Sequence, residues 1–184
     1  MNLKQATLVL ALGFGYSVAS QAAIVNQGIS EAEVLSAQKA WCAALVNISQ
    51  THARSGQAAA KALAEQVIDA AYAYQMGAVL FKPTLTTKPQ TFRTTRAGAL
   101  AYFVGGDAQF PNDTGFALKG WNKCEASNAG VFITGRSATS MGNVSITNAK
   151  GEVTTVDKTW QFVKDDKGQL RIAMHHSSLP FSTQ

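Results

Sequence analysis

Little in this chain is suited to holding a metal. Its 184 residues include two cysteines, three histidines and no Cys-x-x-Cys run, too few soft ligands for a dedicated zinc or iron–sulfur centre. Charge is also sparse: 15% of residues are Asp, Glu, Lys or Arg, and the net +5 is scattered rather than gathered into a stripe. That distribution excludes a nucleic-acid partner and a polybasic membrane tail. No Gly-x-Ser-x-Gly, His-Glu-x-x-His or phosphate-loop motif occurs, so no catalytic signature stands on its own. The length excludes two large domains.

The most apolar run is Ala6 to Ala19, behind Lys4 and ahead of Ser20-Gln21-Ala22. With Leu8, Val9, Leu10, Leu12, Phe14 and Val18 it has the make-up of a secretory signal peptide, residues 1–22, with small residues at the cleavage site. A membrane anchor needs about 20 apolar residues, and this run is shorter and holds two glycines. The expectation is a single domain over 23–184, periplasmic or secreted, with no membrane span. In an oxidising compartment Cys42 and Cys124 have two fates, a disulfide or two buried thiols packed as small apolar groups.

The first part of that domain reads as helical. Ser30-Glu31-Ala32-Glu33 forms a capping box, and Val34, Gln38, Trp41, Leu45 and Ile48 then recur at helical spacing. After Gly56 a second stripe follows, Ala59, Leu63, Gln66, Val67, Ala70 and Tyr74, whose alanines suit close packing on a sheet. A short strand at 78–81 stops at Pro83, a polar loop runs over 84–94, and Thr95 caps a third helix that ends at Gly105. The 107–115 loop leads to Phe116, with Phe110 and Phe116 as a lid or as anchors that dock it.

From Ala117 the period changes to two. Strands are expected over 118–127, 131–134 continuing into 138–147, 153–164 and 169–177. Asn128-Ala129-Gly130, Asn148 to Gly151 and Asp165 to Gly168 serve as hairpin turns. Helices first and an antiparallel meander afterwards give an α+β fold, with the helices covering one face of a curved sheet. Strand parity places Lys158, Trp160 and Phe162 on one face, and Leu170, Ile172, Met174 and His176 together on another strand, with His175 pointing away. An apolar pocket with Lys158 and His176 as its polar groups is the functional reading of that pattern. The bland reading leaves both at strand ends, one snorkelling and one on a backbone carbonyl.

The segment Asp157-Lys158-Thr159-Trp160-Gln161-Phe162, a turn, then Leu170 through His175-His176-Ser177-Ser178-Leu179-Pro180 resembles the end of the calcium/calmodulin-dependent protein kinase II association domain. Phe81-Lys82-Pro83 is similar to that domain's Phe-x-Pro. The resemblance implies the cone-shaped nuclear-transport-factor-2-like, cystatin-like fold shared with SnoaL-like cyclases and ketosteroid isomerases. It also implies a homo-oligomer, a dimer by default, and a pocket whose cation positions fall on Ser145, Lys158 and His176.

Together these readings describe a domain that binds a small polar or anionic molecule, with Lys158, His176 and Ser145 as its polar groups and Trp160, Phe162, Ile172 and Met174 as its apolar body. No cofactor is implied, and the reading leans away from an enzyme. The alternative is a general acid/base enzyme of the SnoaL-like or ketosteroid-isomerase type, for which Asp69 and Glu125 are the acids nearest a pocket. A non-catalytic assembly module is the third.

Overall fold

A capped, kinked helix comes first, because the local chemistry requires it. The computed structural model describes residues 27–182, so the expected signal peptide lies outside the described residues. Ser30 Oγ accepts from the Glu33 amide, and Glu33 accepts from the Ser30 N–H at 2.8 Å. This box starts α1, Glu31–Ala71. As expected, it consists of two helical arms that meet at Gly56, whose φ of 79° takes the backbone out of the helical path. The first arm buries Val34, Gln38, Trp41, Leu45 and Ile48. The second buries Ala60, Ala64 and Ile68, one residue out of phase with the expected stripe, because an alanine-rich arm offers little contrast between its faces.

Five strands form one sheet in the order β1-β5-β4-β3-β2. β2 (Trp121–Thr134), β3 (Ser137–Asn148), β4 (Val153–Lys164) and β5 (Leu170–Ser178) make the expected antiparallel meander, and β1 (Leu80–Lys82) joins parallel to β5. Asn128-Ala129-Gly130 is not the expected turn. It is an irregularity inside β2, where the register against β3 slips by one, and the chain reverses at Gly135-Arg136 instead. The Asn128 amide is tied inward: it exchanges hydrogen bonds with Gln38 of α1 at 2.8 and 2.9 Å, and Gln38 also donates to Ser140. Opposite the irregularity sits Gly142, where a Cβ would lie 2.0 Å from the Ser127 carbonyl oxygen.

α2 (Arg96–Val104), capped by Thr95 as expected, closes the end of the molecule near β1. The loops on either side of it are fastened together. Arg93 and Asp113, each 3% exposed, form a bidentate ion pair at 2.7–3.0 Å, and Phe110 packs on the guanidinium. Cys42 and Cys124 form a disulfide that pins the first arm of α1 to edge strand β2. Closing a loop across a separation of 82 residues stabilises the fold by about 4 kcal/mol in the chain-entropy model. Among the described residues no helix is long and apolar enough to cross a membrane.

The Gly142 contact is with backbone, which cannot move aside as a flexible side chain would. Gly142→Ala should lower unfolding free energy by about 3 kcal/mol, whereas Gly130→Ala, with open space around its Cβ, should change it by less than about 0.5 kcal/mol. Urea denaturation of both variants checks this. Equal effects would show that strand propensity, and not the close approach, sets the requirement for glycine.

Candidate active site

Four side chains form one hydrogen-bonded line through the buried space between α1 and the sheet. Trp41 Nε1 donates to Tyr72 Oη at 2.9 Å, Tyr72 Oη lies 2.8 Å from His175 Nδ1, and His175 Nε2 lies 2.7 Å from Lys158 Nζ. None of the four is more than 5% exposed. Each is delivered by a different feature of the fold. Trp41 comes from the core stripe of α1, and Tyr72 follows its last turn, where the chain bridges to Ile172. Lys158 is on the inner face of β4. His175 is on β5, and Phe81 of β1 pairs with it in register and stacks on its ring at 4.4 Å.

Proton counting orders the line. An indole N–H only donates, so Tyr72 accepts there and its own proton goes to His175 Nδ1. A neutral imidazole then carries its proton on Nε2, and Nε2–H donates to Lys158. An ammonium has no lone pair, so Lys158 accepts that bond only as the free amine. In the reverse order an ammonium donates to Nε2, Nδ1–H donates to Tyr72, and the phenol proton has no acceptor among the described contacts. A stranded buried donor costs about 1–3 kcal/mol.

Electrostatics agree with that ordering. Burial lowers Lys158 from the ordinary 10.5 to about 7. Burial, reinforced by the charges of Lys158 and His176, holds His175 well below 6.5. Among the described residues no carboxylate lines the cavity. When Lys158 does take a proton, the faces of Trp41 and Trp160, 4.8 and 5.4 Å away, are what it meets in place of a counter-ion.

The line borders a small cavity of about 10 Å³, room for the centre of roughly one water-sized molecule. Thr84, Tyr102 and Ser177 bring hydroxyls to it, and Phe81, Phe103, Phe116, Ile146 and Val156 give it apolar walls. Thr84 Oγ1 donates to Ser177 Oγ at 2.6 Å, which leaves the Ser177 proton free. Burial raises the Tyr102 phenol far above 10, so it stays protonated and can donate. Of the two readings of the 107–115 loop, the docked one describes Phe116: it is 9% exposed and stacks on Tyr102 at 5.4 Å.

Several expected site residues sit elsewhere. Lys158 is on the cavity as anticipated, and Trp160 lies beside its ammonium position, while Phe162 and Ile172 are buried in the core beyond it. Ser145 is on the outer face, bonded to Thr155. Met174 and His176 also turn outward, and His175 turns in, the opposite of simple alternation. The cause is one extra residue: Gln161 pairs with Met174 but Phe162 pairs with Ile172, so Ala173 is unpaired and every later side chain of β5 changes face. Asp69 and Glu125 are exposed and bonded to Arg96 and Lys123, away from the cavity. Thr84, Tyr102 and Tyr72 escaped sequence reasoning because Thr84 and Tyr72 sit in or beside irregular segments and Tyr102 belongs to no motif within its helix. The Thr-Pro-rich loop entry and the adjacent His175-His176 pair were the available signals. Among the described residues no three His, Cys, Asp or Glu side chains gather to hold a metal ion.

Comparison with known proteins bears on this site. A family model described as metal-independent carbonic anhydrase matches residues 32–179. A curated protein of that description from Nostoc sp. is 67% identical over 158 residues, which are 86% of this chain and 77% of that protein. The crystal structure of the iota-carbonic anhydrase from a cyanobacterium, complexed with bicarbonate, matches at a TM-score of 0.87 and 65% identity, over 89% of this chain and 100% of that one. A calcium/calmodulin-dependent protein kinase II association domain from Xanthomonas campestris matches at a TM-score of 0.53 and 21% identity, over 89% of this chain and 97% of that one. The last likeness shows the shared nuclear-transport-factor-2-like α+β fold. The first three overturn the reading of a binding domain that leans away from an enzyme, and its alternatives of a ketosteroid-isomerase-type enzyme or an assembly module. That reading sought a carboxylate base and, by parity, turned His175 out of the pocket.

The ordering of protons has a consequence for stability. Between pH 7 and 10.5 the unfolded chain carries a protonated Lys158 and the folded chain a free amine, so the unfolded state binds more protons. The penalty is full below about pH 7 and is relieved as pH rises, at about 1.4 kcal/mol per unit. Unfolding free energy measured from pH 7 to 9.5, below tyrosine ionisation, should therefore rise in the native protein, and Lys158→Met should remove that rise. A flat native profile would mean that Lys158 is charged in the fold. Tyr72→Phe should cost about 2 kcal/mol and release the His175 tautomer into a mixture, visible by ¹⁵N NMR of the ring.

Proposed function

From membership of the metal-independent carbonic anhydrase family, to which this chain belongs through residues 32–179, we propose that it interconverts carbon dioxide and bicarbonate in the cavity beside Lys158. The observation that carries the proposal is a small buried cavity with a free-amine base on one side and proton-donating hydroxyls on the other. Carbon dioxide is apolar and suits the aromatic and aliphatic walls. Bicarbonate is a planar anion and suits the donors Ser177 and Tyr102.

In the hydration direction a water held among Thr84, Ser177 and Tyr102 attacks the carbon. One C–O bond forms, a C=O electron pair moves onto oxygen, and the Tyr102 and Ser177 hydroxyls stabilise the charge that develops there. The water's proton passes to the Lys158 Nζ lone pair, which releases the bond from His175, and the imidazole keeps its proton on Nε2 and its acceptor bond from Tyr72. The order of the Trp41-Tyr72-His175 line is unchanged, and Lys158 later loses its proton to solvent buffer. Bicarbonate dehydration is the reverse. A base near pH 7 is matched to this task, because it is free often enough to accept and acidic enough to release.

Export through the residues 1–22 signal and self-association through the outer sheet face, where Phe132, Met141 and Val153 are exposed, belong to the same proposal.

Stopped-flow hydration assays with a strong chelator present test it. The native protein should accelerate hydration, with a rising pH profile centred near 7. Lys158→Met should lower kcat by roughly a hundredfold or more, and Ser177→Ala should raise KM for bicarbonate in the reverse direction. No acceleration over buffer, or full activity in Lys158→Met with its fold confirmed by circular dichroism, would overturn the reading.

A further inference from the structure

The Lys158 amine is more than a proton acceptor. We propose that Nζ is a carbamylation site: it adds directly to carbon dioxide in the cavity and forms an Nζ-carbamate that fills the place proposed for bicarbonate and idles the site until it reverts. The inference rests on the proposed activity for the arrival of carbon dioxide, and on the geometry for everything else.

Carbamate formation needs an unprotonated amine held away from water and from anions. Lys158 is buried, accepts its hydrogen bond from His175, and has no carboxylate among its cavity neighbours. The groups that face it from each packed element are His175 of β5, Tyr102 of α2 and the indole of Trp41 on α1. Lys82 donates to the Ser177 carbonyl oxygen beside the cavity, and burial holds His176 below its ordinary value, so that imidazole is neutral at pH 8. Desolvation of this kind is what makes a lysine nucleophilic.

The step balances without any other reagent. The nitrogen lone pair forms the N–C bond, one C=O pair moves onto oxygen, and one N–H proton leaves to water at the cavity mouth. The amine gives up its bond from His175, whose Nε2–H is then free to donate to a carbamate oxygen. Ser177 and Tyr102 border the same cavity with the protons left to them and can serve the other oxygen. A carbamate differs from bicarbonate by nitrogen in place of one oxygen, so donors suited to one suit the other. While the adduct stands, the base is consumed and the bicarbonate position is filled. Reversal returns both.

The test uses the whole protein equilibrated with ¹³C-bicarbonate at pH 8. Methylation with a trialkyloxonium salt traps the adduct, and peptide mass mapping locates it, with ¹³C NMR of the untrapped sample in parallel. The expected result is a labelled carbamate on the peptide that carries Lys158, at higher occupancy than on any exposed lysine, rising with carbon dioxide and lost in Lys158→Arg. Native protein that is active in the hydration assay but unlabelled at Lys158 overturns the inference and leaves the activity standing. Labelled protein without hydration activity overturns the activity and leaves the carbamate standing. If Lys158→Arg fails to fold, the native map still decides, because site occupancy is read directly from it.

Discussion

An amine enclosed with no counter-ion is the constraint on which this structure turns. Enclosing a lysine away from solvent is unfavourable unless the group sheds its charge, and the Trp41-Tyr72-His175 line lets it do so with the indole, phenol and imidazole protons each finding an acceptor. Put a carboxylate beside Lys158 and the amine would be an ammonium, the histidine tautomer would reverse, and the base would be gone. The two indole faces near Nζ supply a weaker welcome to the charge, enough for a proton to visit and too little to hold it.

The rest of the fold serves to hold that arrangement in register. The Ala173 bulge turns His175 inward, and parallel pairing of β1 lays Phe81 on its ring. The bridge between Tyr72 and Ile172 brings the end of α1 against the same strand. The Cys42–Cys124 disulfide fixes the helix arm one residue from Trp41, and the Arg93–Asp113 pair locks the two loops that present Thr84 and Phe116. A buried ion pair contributes less to net stability than its contacts suggest, so its value here is in fixing geometry.

Within this family the site accounts for how hydration could proceed on side chains alone. A metal-bound water owes its acidity to the ion. Here the corresponding work would be divided between a depressed amine, which takes the proton, and neutral hydroxyls, which meet the developing charge in a low-dielectric space. Under the proposed function the same amine leaves the site open to carbon dioxide itself, because a free amine and carbon dioxide held in one cavity combine without a further reagent.

Much of the fold was legible in the chain because it rests on short-range physics. Ser30 and Thr95 cap helices through their own hydroxyls, Gly56 permits a backbone angle that other residues resist, and period-two runs from residue 121 onward can bury one face only as strands. Lys158, Trp160 and Phe162 were placed inward by the same alternation, since β4 keeps its pleat through that stretch. Tertiary structure decided the site. An extra residue in a strand leaves no mark in composition or period, because it is the bend of β5 around its neighbours that makes room for Ala173, and that single insertion exchanged His176 for His175 and removed Met174. Thr84, Tyr102 and Tyr72 come together only when β1 docks parallel on β5, a pairing between segments that no local pattern encodes. Sequence alone determined where the elements begin and which faces they must bury; the proton order, and with it the chemistry, was decided by which buried donors could find acceptors once those faces met.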